Sequence, residues 1–451
     1  MSANLEETWG RLGEFVAQVM KAKNVPGIAV GVLYQGETRA AGFGVTSVDH
    51  PLPVTPETLF QIGSITKTFT GAAIMRLVEM GKLELEATVR TYAPDFKAAD
   101  ETAAAQVTIR HLLTHMAGWD GDLFDDTGAG DDALSRYVAG MAELEQLAPL
   151  GAVWSYNNAG FSLAGYIIER VAGKSYQTAM KELVFEPLGL QHCYFDPGEV
   201  MTHRFVVGHH GGDNGPQIAR PWPLPRSGGI ICHAPDLLRY ARFHLGDGGA
   251  EDGSRLLKPE SVAQMQAPQV TVWGDEAWGL TWAVNKVEGV SQISHGGGTM
   301  GQISLLALLP ERQFAIAILT NADRGGEATH EISRWALKEY LGLGDPDPKP
   351  LESSTIELAP YVGRYSRPFA EVELGLLGGK LVGQITYKGS FPTKDTPPPP
   401  SPPPMSITRC EPDRLLVLDG PFKNMRADVI RRPDGSIGWL RAGGRIHARQ
   451  G

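Results

Sequence analysis

The stretch that decides the fold reads Leu59-Phe60-Gln61-Ile62-Gly63-Ser64-Ile65-Thr66-Lys67-Thr68-Phe69-Thr70-Gly71-Ala72-Ala73-Ile74. It predicts a helix that carries Ser64 and, just under one turn later, Lys67, so that the hydroxyl and the amine share a face. The apolar neighbours favour a neutral amine, which can accept a proton from the hydroxyl. The pattern therefore indicates an activated serine nucleophile, and a solvated helix face is the alternative interpretation.

A second candidate group lies at Tyr156 and Asn158, on a predicted loop that enters a helix at 161–171. A phenol and an amide two residues apart on a loop can both point at one site. Tyr156 would exchange protons with Ser64 and a leaving group, and Asn158 would hold Lys67 and a substrate carbonyl. A core or lid position is the alternative for Tyr156.

A third candidate group is the glycine run that follows His295, just ahead of a predicted strand at 302–309. Gly296 and Gly297 have no side chains, so a substrate could lie against the strand edge. The backbone N–H of Gly298 could pair with that of Ser64 to form an oxyanion hole.

The order of predicted elements indicates an α+β fold. Helices are expected at 5–23 and 329–341, with a mostly helical region up to about residue 243 between the first and last strands. The predicted strands lie at 26–34, 38–43, 278–284, 301–309 and 314–319. Strands at both ends of the region favour one domain, residues 1–341, whose antiparallel sheet joins the two ends and is flanked by helices.

The composition of the sequence and its pattern of predicted elements change after residue 341. A Gly-, Asp- and Pro-rich segment opens a predicted linker at 342–360. Short strand-like runs separated by Gly, Pro and Asp-Gly turns then predict a small β domain at 361–451.

Composition restricts the class of partner. The chain has 451 residues, 42% hydrophobic and 20% charged, and a formal net charge of -10 without a basic block. Nucleic acid and anionic membrane surfaces are therefore not expected as partners. No apolar run reaches the roughly 18 residues of a membrane-spanning helix, and the N-terminus lacks a signal-peptide layout. We expect a cytoplasmic location unless a leader was removed.

The cysteines and two of the histidines give no sign of a metal or cofactor. Cys193, Cys232 and Cys410 are odd in number and far apart, which predicts reduced, buried thiols rather than a disulfide framework. His111 and His115 lie four residues apart on a predicted helix, but no glutamate or third ligand accompanies them. We expect them to be packed or hydrogen-bonded, and we expect no metal and no cofactor.

The three groups together resemble the motifs of the serine β-lactamase-like hydrolases: class C β-lactamases, D-alanyl-D-alanine carboxypeptidases, D-aminopeptidases and related esterases. The motifs are Ser64-Ile65-Thr66-Lys67, Tyr156-Asn157-Asn158 and His295-Gly296-Gly297, in the family's order and at similar spacing. The resemblance covers about residues 5–341 and implies a β-lactamase/penicillin-binding-protein-like fold. The start of the second domain, Tyr361-Val362-Gly363-Arg364-Tyr365, is similar to the lipocalin-like β-barrel that some members carry.

The resemblance also implies roles for the three motifs. Ser64 would be the acylated nucleophile, and Lys67 and Tyr156 the proton-handling pair, with the choice of acylation base left open. Asn158 and His295 would line the substrate site together with Gly296 and Gly297.

Two departures from the family pattern have consequences. His295 stands where β-lactamases and penicillin-binding proteins mostly have a Lys followed by Thr, so a fixed cation for a substrate carboxylate is missing there. This lowers the expectation of efficient β-lactam hydrolysis. Cys232-His233 stand where relatives often have Ser-Thr ahead of a helix, which predicts a weaker N-cap.

These observations predict a serine hydrolase that acts through an acyl-enzyme on ester or amide bonds. Its substrates would be short-chain esters, or peptides and amides with small or D-configured residues. A β-lactamase or D,D-peptidase-like enzyme is one alternative, and a non-catalytic ligand-binding or scaffold protein is another. Arg220 and Arg226 could receive a substrate carboxylate or be surface charges. The oligomeric state stays open.

Overall fold

A computed structural model describes residues 2–128, 130–211, 217–218, 229–250, 252–389 and 396–451. The chain folds into two compact units that do not follow the chain order. The first unit comprises Met1–Ala87, Gly128–Leu134 and Ala164–Asp345. The second comprises Thr88–Thr127, Ser135–Leu163 and Pro346–Gly451.

The α-helices are numbered α1 to α13 along the described chain. They are Ser2–Lys23, Thr66–Glu79, Val89–Tyr92, Glu101–Gln106, Ile109–Leu113, Ala133–Gly140, Asn158–Ala172, Tyr176–Met180, Pro197–Val200, Ala234–Leu245, Pro259–Gln266, Gly325–Leu341 and Thr355–Leu358. Among the described residues, no helix is both long enough and apolar enough to cross a membrane.

The strands are numbered β1 to β20 in the same way. The first twelve are Gly27–Tyr34, Glu37–Gly44, Phe60–Gln61, His209–His210, Gln217–Ile218, Ile231–Cys232, Val270–Trp273, Glu276–Trp278, Ala283–Val287, Val290–Thr299, Gln302–Leu309 and Phe314–Thr320. The other eight are Gly363–Arg367, Ala370–Leu377, Lys380–Tyr387, Met405–Glu411, Arg414–Val417, Arg426–Arg431, Ile437–Ala442 and Arg445–Arg449.

The first unit is built around an eight-stranded sheet in the order β2-β1-β12-β11-β10-β9-β8-β7. Its strands are paired antiparallel, and β1 joins β12 from Ile28 opposite Thr320 to Tyr34 opposite Phe314. Every residue of β12 is buried, as is nearly all of β1, because helices cover both faces of these central strands. On one face α1 and α12 pack on the sheet, and on the other α10 does. The structure confirms the predicted α+β fold with a sheet that joins distant parts of the chain.

One strand prediction was wrong, and one strand was missed. The strand expected at 278–284 is divided between β8 and β9. The chain turns between them, because Thr281 has a positive φ of 78° and the Gly279 N–H donates to the Trp282 carbonyl. The glycine run precedes the strand β11 at Gln302–Leu309, as expected, but it also lies inside β10 at Val290–Thr299, a strand that was not predicted. Glycine has a low strand propensity, so no strand was recognisable from the residues at this point.

The second unit contains a closed barrel of the eight strands β13 to β20 in sequential order. The barrel is closed by pairing of β13 with β20, where Tyr365 faces Arg449. Its core includes Tyr365, Leu381, Leu415 and Leu440, all at most 1% exposed. The predicted C-terminal β-barrel is therefore present, and it shares its unit with two earlier segments of the chain. The boundaries predicted at 341 and 361 remain predictions.

The barrel packs against the earlier part of the same unit through an apolar cluster. Ile446 of β20 and Trp439 of β19 contact Leu147, Ala148 and Val153. The Trp439 indole N–H also donates to the Leu147 carbonyl at 2.8 Å. The barrel is thus joined to the segment that precedes α7, which begins at Asn158.

The cysteines are free thiols. Cys193 and Cys232 are buried, as predicted, whereas Cys410 is only half-buried. The N-cap of α10 is His233, and the weaker cap expected from Cys232-His233 stays a prediction. The His233 imidazole Nδ1 accepts a hydrogen bond from the Asp236 N–H at 3.1 Å, so a histidine caps this helix in place of a hydroxyl.

Candidate functional site

Ser64 and Lys67 are in direct contact. Ser64 lies in a short 3-10 turn, Gly63–Ile65, and Lys67 lies in the first turn of α2. Side chains three residues apart nearly eclipse one another in a 3-10 turn. The Lys67 amine donates to the Ser64 hydroxyl oxygen at 2.9 Å, and Lys67 as a residue is only 4% exposed. The spacing seen in the sequence therefore produces the expected amine–hydroxyl pair.

The glycine run of β10 lies against the residues that precede Ser64. Gly63 has a φ of 52°, and a Cβ there would lie 2.6 Å from the Gly298 nitrogen. A Cβ on Gly297 would lie 1.9 Å from the Ile62 carbonyl oxygen. Only glycine at these positions allows the two backbones to approach so closely. The structure thus brings Gly297 and Gly298 to the turn that carries Ser64.

The same turn is fixed by side chains from the neighbouring strand β11. The Ser304 hydroxyl donates to the Ile62 carbonyl at 2.8 Å, and the Gln302 side-chain oxygen accepts from the Gln61 N–H at 2.9 Å. These bonds tie the residues between β3 and α2 to strand β11. The position of Ser64 therefore depends on the sheet as well as on the helix.

A short strand pair supports this turn from another direction. Phe60 of β3 pairs with Cys232 of β6. The Ile62 N–H donates to the Ile230 carbonyl at 3.0 Å, and the Ile230 N–H donates to the Thr66 hydroxyl at 3.2 Å. The residues on both sides of Ser64 are therefore bonded to one segment that ends in β6.

His295 is a neutral, buried imidazole. Burial, reinforced by the positive charge of Lys67, lowers the pKa of His295 to about 3, although its hydrogen bond to the Gly296 carbonyl acts in the opposite direction. The imidazole N–H at Nδ1 donates to that carbonyl at 2.6 Å, and Trp278 packs edge-on against the ring at 5.6 Å. His295 therefore provides no fixed positive charge at neutral pH. Gly296 and Gly298, unlike His295 and Gly297, are exposed.

In the second unit, Tyr156 lies in a cluster of aromatic and cationic groups. The ring centres of His115 and Tyr156 are 4.4 Å apart, and the Arg445 guanidinium lies 4.8 Å from the Tyr156 ring centre. The Tyr156 N–H donates to the Gly444 carbonyl at 2.8 Å. Gly444 lies in the turn between β19 and β20, and Arg445 is the first residue of β20, so the barrel supplies direct neighbours of Tyr156.

Asn158 is the first residue of α7, and its side chain is bonded to a buried carboxylate. Its amide N–H donates to Asp122 at 2.9 Å. Asp122 also pairs with Arg367 at 2.9 Å and with Arg445 at 3.2 Å. Burial acts to raise the pKa of Asp122, but the charges of Arg445 and Arg367 outweigh it, and the pKa is lowered. Asp122 is thus an anion that links the barrel to Asn158.

Asp122, Arg367 and Arg445 were missed in the sequence. Asp122 and Arg445 are 323 positions apart, and neither lies in a recognisable motif. Only the barrel's pairing with the segment before α7 places them together. No local sequence pattern predicts that these three residues come together.

The two histidines considered as metal ligands have other roles. His111 completes a capping box with Thr108 at the start of α5. His115 lies beyond the end of α5 with a positive φ of 58°, so the expected shared helix face was wrong. Its Nδ1 accepts a hydrogen bond from the Asn157 N–H at 2.9 Å. The prediction of hydrogen-bonded roles is confirmed. Arg220 and Arg226 lie outside the described residues.

Comparison with known proteins places the chain in a family. Residues 12–339 match the family model described as Beta-lactamase. Penicillin-binding protein 4 of Amycolatopsis lactamdurans is 36% identical over 360 residues, 76% of this chain and 94% of that protein. Esterase EstB of Burkholderia gladioli is 29% identical over 324 residues, 64% of this chain and 81% of that protein. The crystal structure of SurE is 25% identical with a TM-score of 0.79, covering 99% of this chain and all (100%) of that one. This chain therefore belongs to the beta-lactamase family.

Proposed function

We propose that the protein is a serine hydrolase that cleaves ester or amide bonds through an acyl-enzyme formed on Ser64. The observation that carries the proposal is the 2.9 Å hydrogen bond between the Lys67 amine and the Ser64 hydroxyl. In the reaction the Ser64 oxygen attacks a carbonyl carbon, the leaving group departs with a proton, and water then releases the acyl group. Membership of the beta-lactamase family supports this assignment.

Lys67 and Tyr156 handle the protons in this proposal. Lys67 contacts the nucleophile directly, and Tyr156 takes its role from the family motif that it shares with Asn158. The Arg445 guanidinium lies 4.8 Å from the Tyr156 ring centre, and this contact supports a fixed position of the Tyr156 ring in the proposal.

The backbone N–H groups of Ser64 and Gly298 form the proposed oxyanion hole. Supporting this, Gly298 lies close to the turn that carries Ser64, and the residue is exposed on β10. Two fixed N–H donors aimed at the developing oxyanion stabilise the tetrahedral intermediate without reorganisation during the reaction. Gly296, Gly297, His295 and Asn158 line the substrate in the proposal.

The charge state of His295 favours esters and small amides as substrates. A β-lactam antibiotic or a peptide with a free C-terminus carries a carboxylate, which a cation stabilises. His295, with a pKa of about 3, is uncharged at neutral pH and offers no such cation at its position. The similarity to Esterase EstB agrees with this preference.

A penicillin-recognising enzyme is the second candidate function. The supporting observation is the 36% identity to a protein named Penicillin-binding protein 4, which extends over 94% of that protein. A lysine is not the only means of binding a carboxylate, because an arginine elsewhere can do so. The two candidates differ in whether a chromogenic cephalosporin is turned over.

The test compares Ser64→Ala with Ser401→Ala, an exposed serine outside any helix or strand. The substrates are a short-chain p-nitrophenyl ester, a D-amino acid amide and a chromogenic cephalosporin. We expect Ser64→Ala alone to abolish ester hydrolysis and fluorophosphonate labelling. Unchanged ester hydrolysis by Ser64→Ala would contradict the proposal. Labelling of Ser64 that persists in the wild type without turnover of any substrate would instead favour a non-catalytic binding protein.

A further inference from the structure

Cys193 and Cys232 face each other across two antiparallel segments of the first unit. The next residues along, Tyr194 and Ile231, exchange both of their backbone hydrogen bonds, at 2.9 and 2.8 Å. The cysteines therefore occupy the adjacent non-hydrogen-bonded pair, where Cα atoms are about 4.5 Å apart and side chains are closest. Their sulfurs lie 3.0 Å apart. This spacing of the backbone falls within the range that a disulfide can bridge.

The surroundings of the pair fit a disulfide better than a metal ion. Among the described residues, Cys193, Cys232 and Asp236 form one of the groups that are close enough to share a metal. The Asp236 carboxylate, however, already binds Arg239 at 2.5 Å and accepts from the His192 N–H at 2.7 Å. Two thiolates on one zinc would also lie about 3.8 Å apart, given zinc–sulfur bonds of about 2.3 Å in a tetrahedron.

We propose that Cys193 and Cys232 form a redox site that is converted to a disulfide by exchange with a low-molecular-weight disulfide such as oxidised glutathione. One cysteine, as its thiolate, attacks a glutathione sulfur and releases one glutathione, which leaves a mixed disulfide. The second cysteine then attacks the first and releases the other glutathione. The two cysteines lose two protons and two electrons in total, and one oxidised glutathione becomes two reduced molecules.

Burial makes this exchange slow in the folded protein. Cys193 is 3% exposed, and Cys232 is not exposed to solvent (0%). Burial raises the pKa of both thiols, so the thiolate that attacks a disulfide is scarce at neutral pH. We therefore expect exchange to proceed during folding or through transient opening of this region.

The disulfide would stabilise the segment that supports the nucleophile. Cys232 pairs with Phe60 in the short sheet that precedes Ser64. The cross-link would join it to a residue 39 positions earlier in the chain. A loop of this length restricts the unfolded chain appreciably, so the oxidised protein should unfold a few degrees above the reduced protein.

The experiment uses the full chain and its Cys410→Ser variant, in which only the proposed pair can form an intramolecular disulfide. Reduced protein is equilibrated in glutathione buffers of increasing oxidised fraction, both in sub-denaturing urea and during refolding from full denaturation. Acid stops the exchange, and the protein is then unfolded and its free thiols are alkylated. The intact mass gives the number of alkylated thiols. In the more oxidising buffers we expect two thiols to escape alkylation and the protein to weigh about 2 Da less than its reduced form. The Tm should rise in the same buffers. Cys193→Ser should abolish both changes.

Three results would overturn the proposal. All three thiols of the wild type could remain alkylatable in the most oxidising buffer in both arms. The only products could be glutathione adducts or disulfides between molecules. Native mass spectrometry of the reduced protein could show a bound zinc ion that protects the two thiols from alkylation. If a chelator removed both the zinc and the protection, the pair would be a metal site.

Discussion

The guanidinium of Arg445 lies 4.8 Å from the centre of the Tyr156 ring and pairs with Asp122 at 3.2 Å. Asp122 in turn accepts a hydrogen bond from Asn158. A single barrel residue therefore contacts one member of the Tyr-x-Asn motif directly and reaches the other through one carboxylate. This arrangement gives the barrel a role in positioning the two side chains that the sequence marks as functional.

The first prediction follows from this contact. Arg445→Gln should lower kcat/KM for a p-nitrophenyl ester by about tenfold or more, because small displacements of catalytic groups are costly. Steady-state kinetics on the wild type and the variant measure the effect.

Arg449→Gln is the matched control for Arg445→Gln. Arg449 lies on the same strand, but its guanidinium lies 5.8 Å from the ring centre of Tyr365 rather than near Tyr156. We expect its kcat/KM to match that of the wild type. If Arg445→Gln gives the wild-type kcat/KM as well, the contact between Arg445 and Tyr156 does not contribute to the reaction.

Local patterns in the sequence predicted those features that depend on nearby residues. The Ser64–Lys67 pair is set by a three-residue spacing within one turn, and the structure reproduces it. The strand at 27–34 and the strand at 314–320 were both recognisable as continuous apolar runs, because central strands are covered on both faces. Their pairing then followed from the general rule that such a sheet joins the two ends of the domain.

Features that depend on distant residues could not be predicted in the same way. The glycine run lies within β10 because its pairing with β11 imposes extended geometry, which glycine itself does not favour. Asp122 meets Arg445 only because the barrel packs on the segment before α7. Cys193 and Cys232 likewise come together through a backbone pairing that neither residue signals.

The second prediction concerns the approach of β10 to the Ser64 turn. A Cβ on Gly297 would lie 1.9 Å from the Ile62 carbonyl oxygen and 2.3 Å from the Ser304 hydroxyl oxygen. Gly297→Ala should therefore destabilise the protein by at least about 2 kcal/mol and lower ester hydrolysis more than tenfold. Gly375→Ala in β14, where no atom lies within 4 Å of a Cβ, should leave both unchanged. Urea unfolding and initial rates test this pair, and equal stability of the two variants would contradict it.

The third prediction concerns stability in acid. Burial lowers the pKa of His244 to about 3, and the ring packs among Tyr240, Phe243 and Trp282. Its pKa in the unfolded chain is about 6.5, so between these values the unfolded state binds more protons. Each such histidine lowers the free energy of unfolding by about 1.4 kcal/mol for each pH unit below about 6.5. This contribution is complete above that pH and is lost as the pH falls toward 3.

His244→Leu should reduce the slope of stability against pH by that amount between about pH 4 and 6. His295 and His447, whose pKa values are lowered by burial to about 3 and about 4, keep part of the slope in the variant. Leu237→Ala, a substitution of a buried residue without a titratable group on the same helix α10, is the control and should leave the slope unchanged. Urea unfolding at a series of pH values gives the slopes. Parallel curves for wild type and His244→Leu would show that His244 is protonated in the folded protein.

The fourth prediction separates docking of the barrel from stability of the barrel itself. Ile446 is buried against Leu147 and Val153, and its N–H donates to the Ser155 hydroxyl at 3.2 Å. Leu415, in contrast, is buried within the barrel core. Truncation of either side chain to alanine should cost about 2–4 kcal/mol of the free energy of unfolding.

Only Ile446→Ala should also slow the labelling of Ser64 by a fluorophosphonate, measured well below the Tm of both variants. The reason is that Ile446 holds the segment leading to Tyr156, while Leu415 acts only through the barrel's own core. Equal labelling rates in the two variants, at equal loss of stability, would mean that the barrel contributes to this reaction only by being folded. A slower rate in Ile446→Ala alone would mean that the contact with the segment before α7 is itself required.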